Sequence, residues 1–141
     1  MAAPSSYAVP ATPRARLSAR EVLVVDDDRD LCRSLRETLE EEGYRVRTAA
    51  HGLEALAMLM AGALPDVILL DMLMPVMDGW QLISELKGRP AFATIPVAAM
   101  TAAGPKVLFA APVCAGYLAK PMGRTRLLDM VALCLARAPR R

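Results

Sequence analysis

The sequence predicts a doubly wound α/β fold, a parallel sheet with helices on both faces. Three observations predict it. Short runs of four to six residues without polar alternation, Val22–Val25, Val67–Leu70 and Ile95–Met100, read as strands buried on both faces, as strands of parallel sheets are. Segments with apolar residues at three-to-four spacing lie between them, so strands and helices alternate. A chemically active residue follows each run or lies a residue or two beyond it: Asp26 and Asp27, Asp71, Thr101, and Lys120 after Tyr117–Ala119. Open α/β sheets carry their sites at the carboxyl edge, which here gathers three acids, a hydroxyl and an ammonium.

The elements follow in order. Glu21–Val25 is the first strand. Arg29–Glu42 places Leu31, Cys32, Leu35 and Leu39 on one face and stops at Gly43, a common helix terminator. Tyr44–Ala49 alternates polar and apolar residues, which suits an edge strand with one wet face. Leu53–Met60 is a second helix with Leu56, Leu59 and Met60 inward, closed by Gly62 and Pro65. Val67–Leu70 is the third strand and leads into Asp71. Trp80–Lys87 is a short helix after Asp78-Gly79, and Ile95–Met100 is the fourth strand, with Pro96 tolerable near its start. In Ala102–Ala115 two prolines bracket only Lys106–Ala111, so the fourth helix is expected to be short or irregular. Tyr117–Ala119 is the fifth strand and Thr125–Ala138 the last helix, with Leu127, Leu128, Val131, Cys134 and Leu135 inward.

A chain of 141 residues suits one domain, with no room for a second output module. The organisation expected is a disordered extension over 1–20, a domain over 21–138 and a basic tail over 139–141. The formal charge is +2, yet six of the seventeen basic residues (Arg14, Arg16, Arg20, Arg137, Arg140 and Arg141) lie near the two ends of the chain, and without them the remainder is −4. A net-acidic body argues against a nucleic-acid surface. The three cysteines show no Cys-x-x-Cys spacing and no nearby histidine, which points to reduced thiols rather than a disulfide framework or a zinc site. The first twenty residues have neither the pattern of a signal peptide nor that of a membrane span. A cytoplasmic location is expected.

Val-Val-Asp-Asp, Leu-Leu-Asp-Met-Leu-Met-Pro-Val-Met-Asp-Gly, Met-Thr-Ala and Gly-Tyr-Leu-Ala-Lys-Pro stand in this order along the chain. With helical segments between these motifs, the sequence from Glu21 to Ala136 resembles the receiver domain of two-component response regulators, the family of the chemotaxis protein CheY. The resemblance implies a flavodoxin-like five-stranded sheet in the order 2-1-3-4-5. Alternation alone does not fix that order.

Three carboxylates at one strand edge repel one another and raise at least one pKa unless a cation neutralises them. Mg²⁺ suits such a set, because it favours octahedral oxygen ligation with one or two carboxylates. The resemblance implies that Asp27 and Asp71 ligate Mg²⁺ directly, Asp26 chiefly through water, and Leu73 by its backbone carbonyl. Asp71 is then the phosphoacceptor, Lys120 neutralises charge, and Thr101 donates its hydroxyl to a phosphoryl oxygen while Tyr117 turns inward behind it. Lys120-Pro121 is expected to be cis. The phosphodonor implied is a sensor histidine kinase, a histidine phosphotransfer protein or a small acyl phosphate. The protein then binds a downstream partner or relays the phosphoryl group, and it is no enzyme beyond its own phosphorylation and dephosphorylation. The proline-bracketed segment predicts a monomer or weak dimer. Leu73 and Ala103 stand two residues after Asp71 and Thr101, positions that influence hydrolysis in the family.

Plainer readings stand beside these. Asp28 or Asp30 caps the first helix. Thr101 alone is an ordinary strand-end residue, Tyr117 a half-buried aromatic and His51 a surface residue. Met72, Met74 and Met77 serve packing. Two other functions are compatible with parts of the pattern. One is a haloacid-dehalogenase-like phosphatase, suggested by the Asp-x-Asp within Asp26–Asp28. The other is a receiver-shaped interaction module that takes no phosphate.

Overall fold

The computed structural model of the chain describes residues 20–102 and 114–137. Five strands, β1 (Glu21–Val25), β2 (Arg45–Ala49), β3 (Val67–Asp71), β4 (Val97–Thr101) and β5 (Gly116–Ala119), form one sheet in the order β2-β1-β3-β4-β5. Every neighbouring pair is parallel. The described helices are α1 (Arg29–Glu41), α2 (Gly52–Met60), α3 (Gly79–Lys87), α4 (Pro90–Ala93) and α5 (Arg124–Arg137). After β2 the chain crosses over β1 to build β3, so the winding reverses between β1 and β3. That reversal opens the crevice where doubly wound sheets carry their sites.

Alternate strand residues feed two cores. Leu23, Val25, Ile68, Leu70 and Ala99 pack with Ala55, Leu56 and Leu59 of α2 and Leu82, Ile83 and Leu86 of α3. Val22, Val24, Leu69, Met100 and Leu118 pack on the other face with Cys32, Leu35 and Leu39 of α1 and Leu127, Val131 and Cys134 of α5. Leu31, Leu128 and Leu135 border this second core, partly buried. Both faces of β1 and β3 are thus covered, which fixes the ends of these strands.

The helix starts carry their own signals. Asp28 caps α1 by accepting from the Leu31 N–H at 3.1 Å. His51 caps α2 through Nδ1, which accepts from the Glu54 N–H at 3.1 Å. Asp78 and Gln81 form a reciprocal capping box at α3, which therefore begins at Gly79, one residue earlier than the sequence suggests. Gly43 follows α1 with φ +96°, a conformation natural to glycine.

Two expectations need correction. Met60 does not face inward but is 60 % exposed, because the buried stripe of α2 runs through Gly52, Ala55, Leu56 and Leu59 and leaves Met60 off its side. The strand expected from Ile95 starts at Val97. Pro96 has no N–H for a ladder, although its carbonyl accepts from the Ile68 N–H at 3.0 Å. The single turn α4, which begins on Pro90 and buries Phe92, has no counterpart in the sequence reading. The expected helix at Lys106–Ala111 lies outside the described residues, as do the two terminal segments 1–19 and 138–141.

Candidate functional site

Asp26 directly follows β1, Asp71 ends β3, Thr101 ends β4 and Lys120 directly follows β5, so strand lengths alone bring these residues to one edge. The backbone ties them together. The Lys120 N–H donates to the Thr101 carbonyl at 2.9 Å, and the Met72 N–H donates to the Met100 carbonyl at 3.1 Å. The Lys120-Pro121 peptide is cis, as the motif predicts.

Asp26 is buried, and both of its carboxylate oxygens are held. Oδ1 accepts from the Asp28 N–H at 2.9 Å, and Oδ2 lies 2.6 Å from Lys120 Nζ. Asp71 is also buried. Its Oδ1 accepts from the Leu73 N–H at 3.3 Å, and its Oδ2 lies 3.4 Å from the same ammonium. Asp27 is exposed, and one oxygen from each of Asp26, Asp27 and Asp71 falls within 4.8 Å of the others.

Electrostatics follow from that crowding. Burial, and then the charge of Asp26, push the Asp71 carboxyl above its ordinary range, while the Leu73 N–H and Lys120 pull it back in part. Burial works to lower the pKa of Lys120, but the hydrogen bond to Asp26 and the charges of Asp26 and Asp71 raise it above the usual lysine value. The ammonium therefore stays charged. The Cys32 thiol, 3.3 Å from the Asp26 carbonyl, is pushed up to about 11 by burial and the nearby acids, and so remains a neutral packing group. An all-oxygen donor set with an unbalanced buried carboxylate fits a hard divalent cation such as Mg²⁺.

Thr101 is buried beside this cluster. Tyr117 is not the half-buried aromatic expected: on edge strand β5, opposite Ala99, it is 56 % exposed. Met72 and Met74 are buried in the core and Met77 packs against it, in line with a packing role. Gly79, which has no assigned role in the sequence motif, lets α3 start against the strand bearing Asp71. A Cβ there would come 2.7 Å from Met72 Cα and 3.0 Å from the Asp71 carbonyl oxygen. The Asp78-Gly79 dipeptide signals a helix start but not that close approach.

A family model described as the response regulator receiver domain matches residues 22–132. The chain belongs to this family. Among its relatives, an uncharacterized 14.6 kDa protein of Leptolyngbya boryana is 38 % identical over 87 % of this chain and 96 % of its own length. The response regulator MprA of Mycobacterium tuberculosis is 38 % identical over 82 % of this chain, but the match takes in only 50 % of MprA. This chain thus spans about half of that relative. Among solved structures, the response regulator TrrA of Thermotoga maritima, in complex with Mg(2+)-BeF, superposes with a TM-score of 0.73 at 28 % identity, covering 82 % of this chain and 99 % of TrrA. Membership of the receiver-domain family sets aside the haloacid-dehalogenase-like phosphatase alternative. Among the described residues no helix is long and apolar enough to cross a membrane.

Proposed function

We propose that this receiver domain accepts a phosphoryl group on Asp71 from a histidine kinase or a histidine phosphotransfer protein, and then either switches a partner's binding or passes the group on. The observation that carries this reading is the Asp26–Lys120–Asp71 arrangement at the sheet reversal, with Asp27 beside it. An Asp71 oxygen attacks phosphorus as the P–N bond to the donor histidine breaks, giving an acyl phosphate and a free imidazole. Such a transfer asks the protein mainly for positioning and charge neutralisation, which Lys120 supplies in part.

Mg²⁺, when bound, supplies the remaining neutralisation between nucleophile and phosphoryl oxygens. Asp27, Asp71 and the Leu73 carbonyl are the direct ligands in this reading. Asp26, whose oxygens already accept from Asp28 and Lys120, acts through water. Thr101 takes a phosphoryl oxygen by its hydroxyl, and the outward Tyr117 turns in behind it, so that the two form a two-state element biased by phosphorylation. The protein acts in the cytoplasm, as a monomer or weak dimer.

The test is labelling with acetyl phosphate and Mg²⁺ followed by mass spectrometry. Phosphate is expected on Asp71, with labelling abolished in Asp71→Asn and Asp27→Ala. Phosphate on another residue would refute the assignment. Failure to take either acetyl phosphate or beryllofluoride would favour the phosphate-independent interaction module.

A further inference from the structure

Beside the acid cluster lies a cavity of about 340 Å³, bounded by the first turns of α1, the end of β2 and the start of α2. Arg29, Arg33 and Arg36 line it from α1, facing Thr48, Ala50 and Glu54. Among the lining residues only Asp26 also belongs to the acid cluster. The three arginines stand at i, i+4 and i+7, which puts them on one stripe of the helix.

The acids of this cavity are engaged, whereas Arg29 among its cations is not. Asp26 is held by Asp28 and Lys120, and Glu54 Oε1 accepts from the Ala50 N–H at 2.6 Å. Among the described residues the Arg29 side chain has no ion-pair or hydrogen-bond partner. Arg33 pairs only with Asp30, at 3.3 Å, both side chains being well exposed, and such surface pairs hold weakly. Arg36 donates Nη2 to the Val46 carbonyl at 3.1 Å, but its Nε is buried with no hydrogen-bond partner, 4.0 Å from Glu40 Oε2.

Three arginines bordering one concave wall suit phosphate, whose oxygens accept paired N–H donors. The small side chains of Cys32 and Ala49 add an apolar patch for a carbon substituent. We propose that this cavity binds a small phosphate-bearing dianion, free or as an ester, at a site distinct from Asp71. Because Asp26 borders both, the ligand lies against the loop that carries the acid cluster.

The test is titration of the full EDTA-treated chain with inorganic phosphate and, separately, glycerol 3-phosphate at low salt, followed by backbone amide NMR shifts. Saturable shifts are expected at Arg29–Arg36 and Thr48–Glu54. Affinity should fall about tenfold or more in Arg29→Gln/Arg33→Gln. Both arginines are exposed, so the variant should keep the native spectrum elsewhere. Tighter binding of the ester identifies an esterified ligand, and tighter binding of the free ion identifies phosphate itself. Shifts that do not saturate, or equal affinity in the double variant, would each overturn the proposal.

Discussion

Lys120 Nζ lies 2.6 Å from Asp26 Oδ2, and the two side chains are only 18 % and 0 % exposed. The same ammonium reaches Asp71 at 3.4 Å, so one cation from the end of β5 serves carboxylates at the ends of β1 and β3. Burial first, and then the charge of Asp26, raises the Asp71 carboxyl, and the single shared ammonium offsets this only in part, so the cluster should have affinity for a divalent cation.

Removing that ammonium leaves two buried carboxylates uncompensated. Lys120→Ala should cost roughly 2–3 kcal/mol without Mg²⁺, on the low side for a buried pair because the ammonium keeps 18 % exposure. Adding Asp26→Asn should restore part of the loss, and Mg²⁺ should raise the melting temperature of the single variant. Urea unfolding in EDTA checks this. An unchanged midpoint in Lys120→Ala would show that the lysine neutralises neither acid.

Asp71 itself should weaken the metal-free fold at neutral pH. Its folded pKa lies above the ordinary 3.8, so its favourable contribution is whole below that value and is lost as pH rises through the raised one. Asp71→Asn should therefore melt higher than wild type at pH 7 in EDTA, with the gap closing toward pH 4. Mg²⁺ should stabilise wild type more than the variant. Calorimetry across that pH range decides, and a lower melting temperature for Asp71→Asn at pH 7 would contradict the sign.

Gly79→Ala tests how tightly α3 is seated on the site. Its new Cβ meets Met72 Cα at 2.7 Å and the Asp71 carbonyl oxygen at 3.0 Å, and backbone cannot swing aside as a flexible side chain can. The variant should lose roughly 1–3 kcal/mol and label more slowly at Asp71, whose backbone must shift. Gly88→Ala, where the nearest atom is 3.6 Å away and φ is −79°, is the near-neutral control. Equal behaviour of the two variants in denaturant titration would remove the steric argument.

The sheet was legible because Val22–Val25 and Val67–Leu70 are uniformly aliphatic and each ends in an acid, so strand ends could be placed to about one residue. Strand order was not legible from alternation and rested on the family motifs. Met60 was misplaced because α2 is apolar almost all round, and its buried face is set by packing against the sheet rather than by periodicity. The turn α4 is too short to show a helical period. Nothing local to Asp26 announces that Lys120, ninety-four positions on, takes its second oxygen; only the recurrence of strand-end motifs linked them.

The lifetime of the phosphorylated state should be long. Hydrolysis of an acyl phosphate needs a water aligned in line with the breaking bond, and the residues two after the acceptor and two after the threonine influence it in the family. Leu73 holds the first position. Its N–H is directed to Asp71 Oδ1, while its side chain is 55 % exposed and has no group to orient water. Ala103 holds the second position and lies outside the described residues. Leu73→Asn adds a polar group at an exposed point, so the fold should be undisturbed while loss of label quickens by roughly 10- to 100-fold. Ala103→Glu should act in the same direction. The measurement is decay of labelled Asp71 after removal of donor, in wild type and both variants. If neither substitution accelerates decay, water alignment does not limit the lifetime, and the rate is set by the charges of Lys120 and the metal around the phosphoryl group.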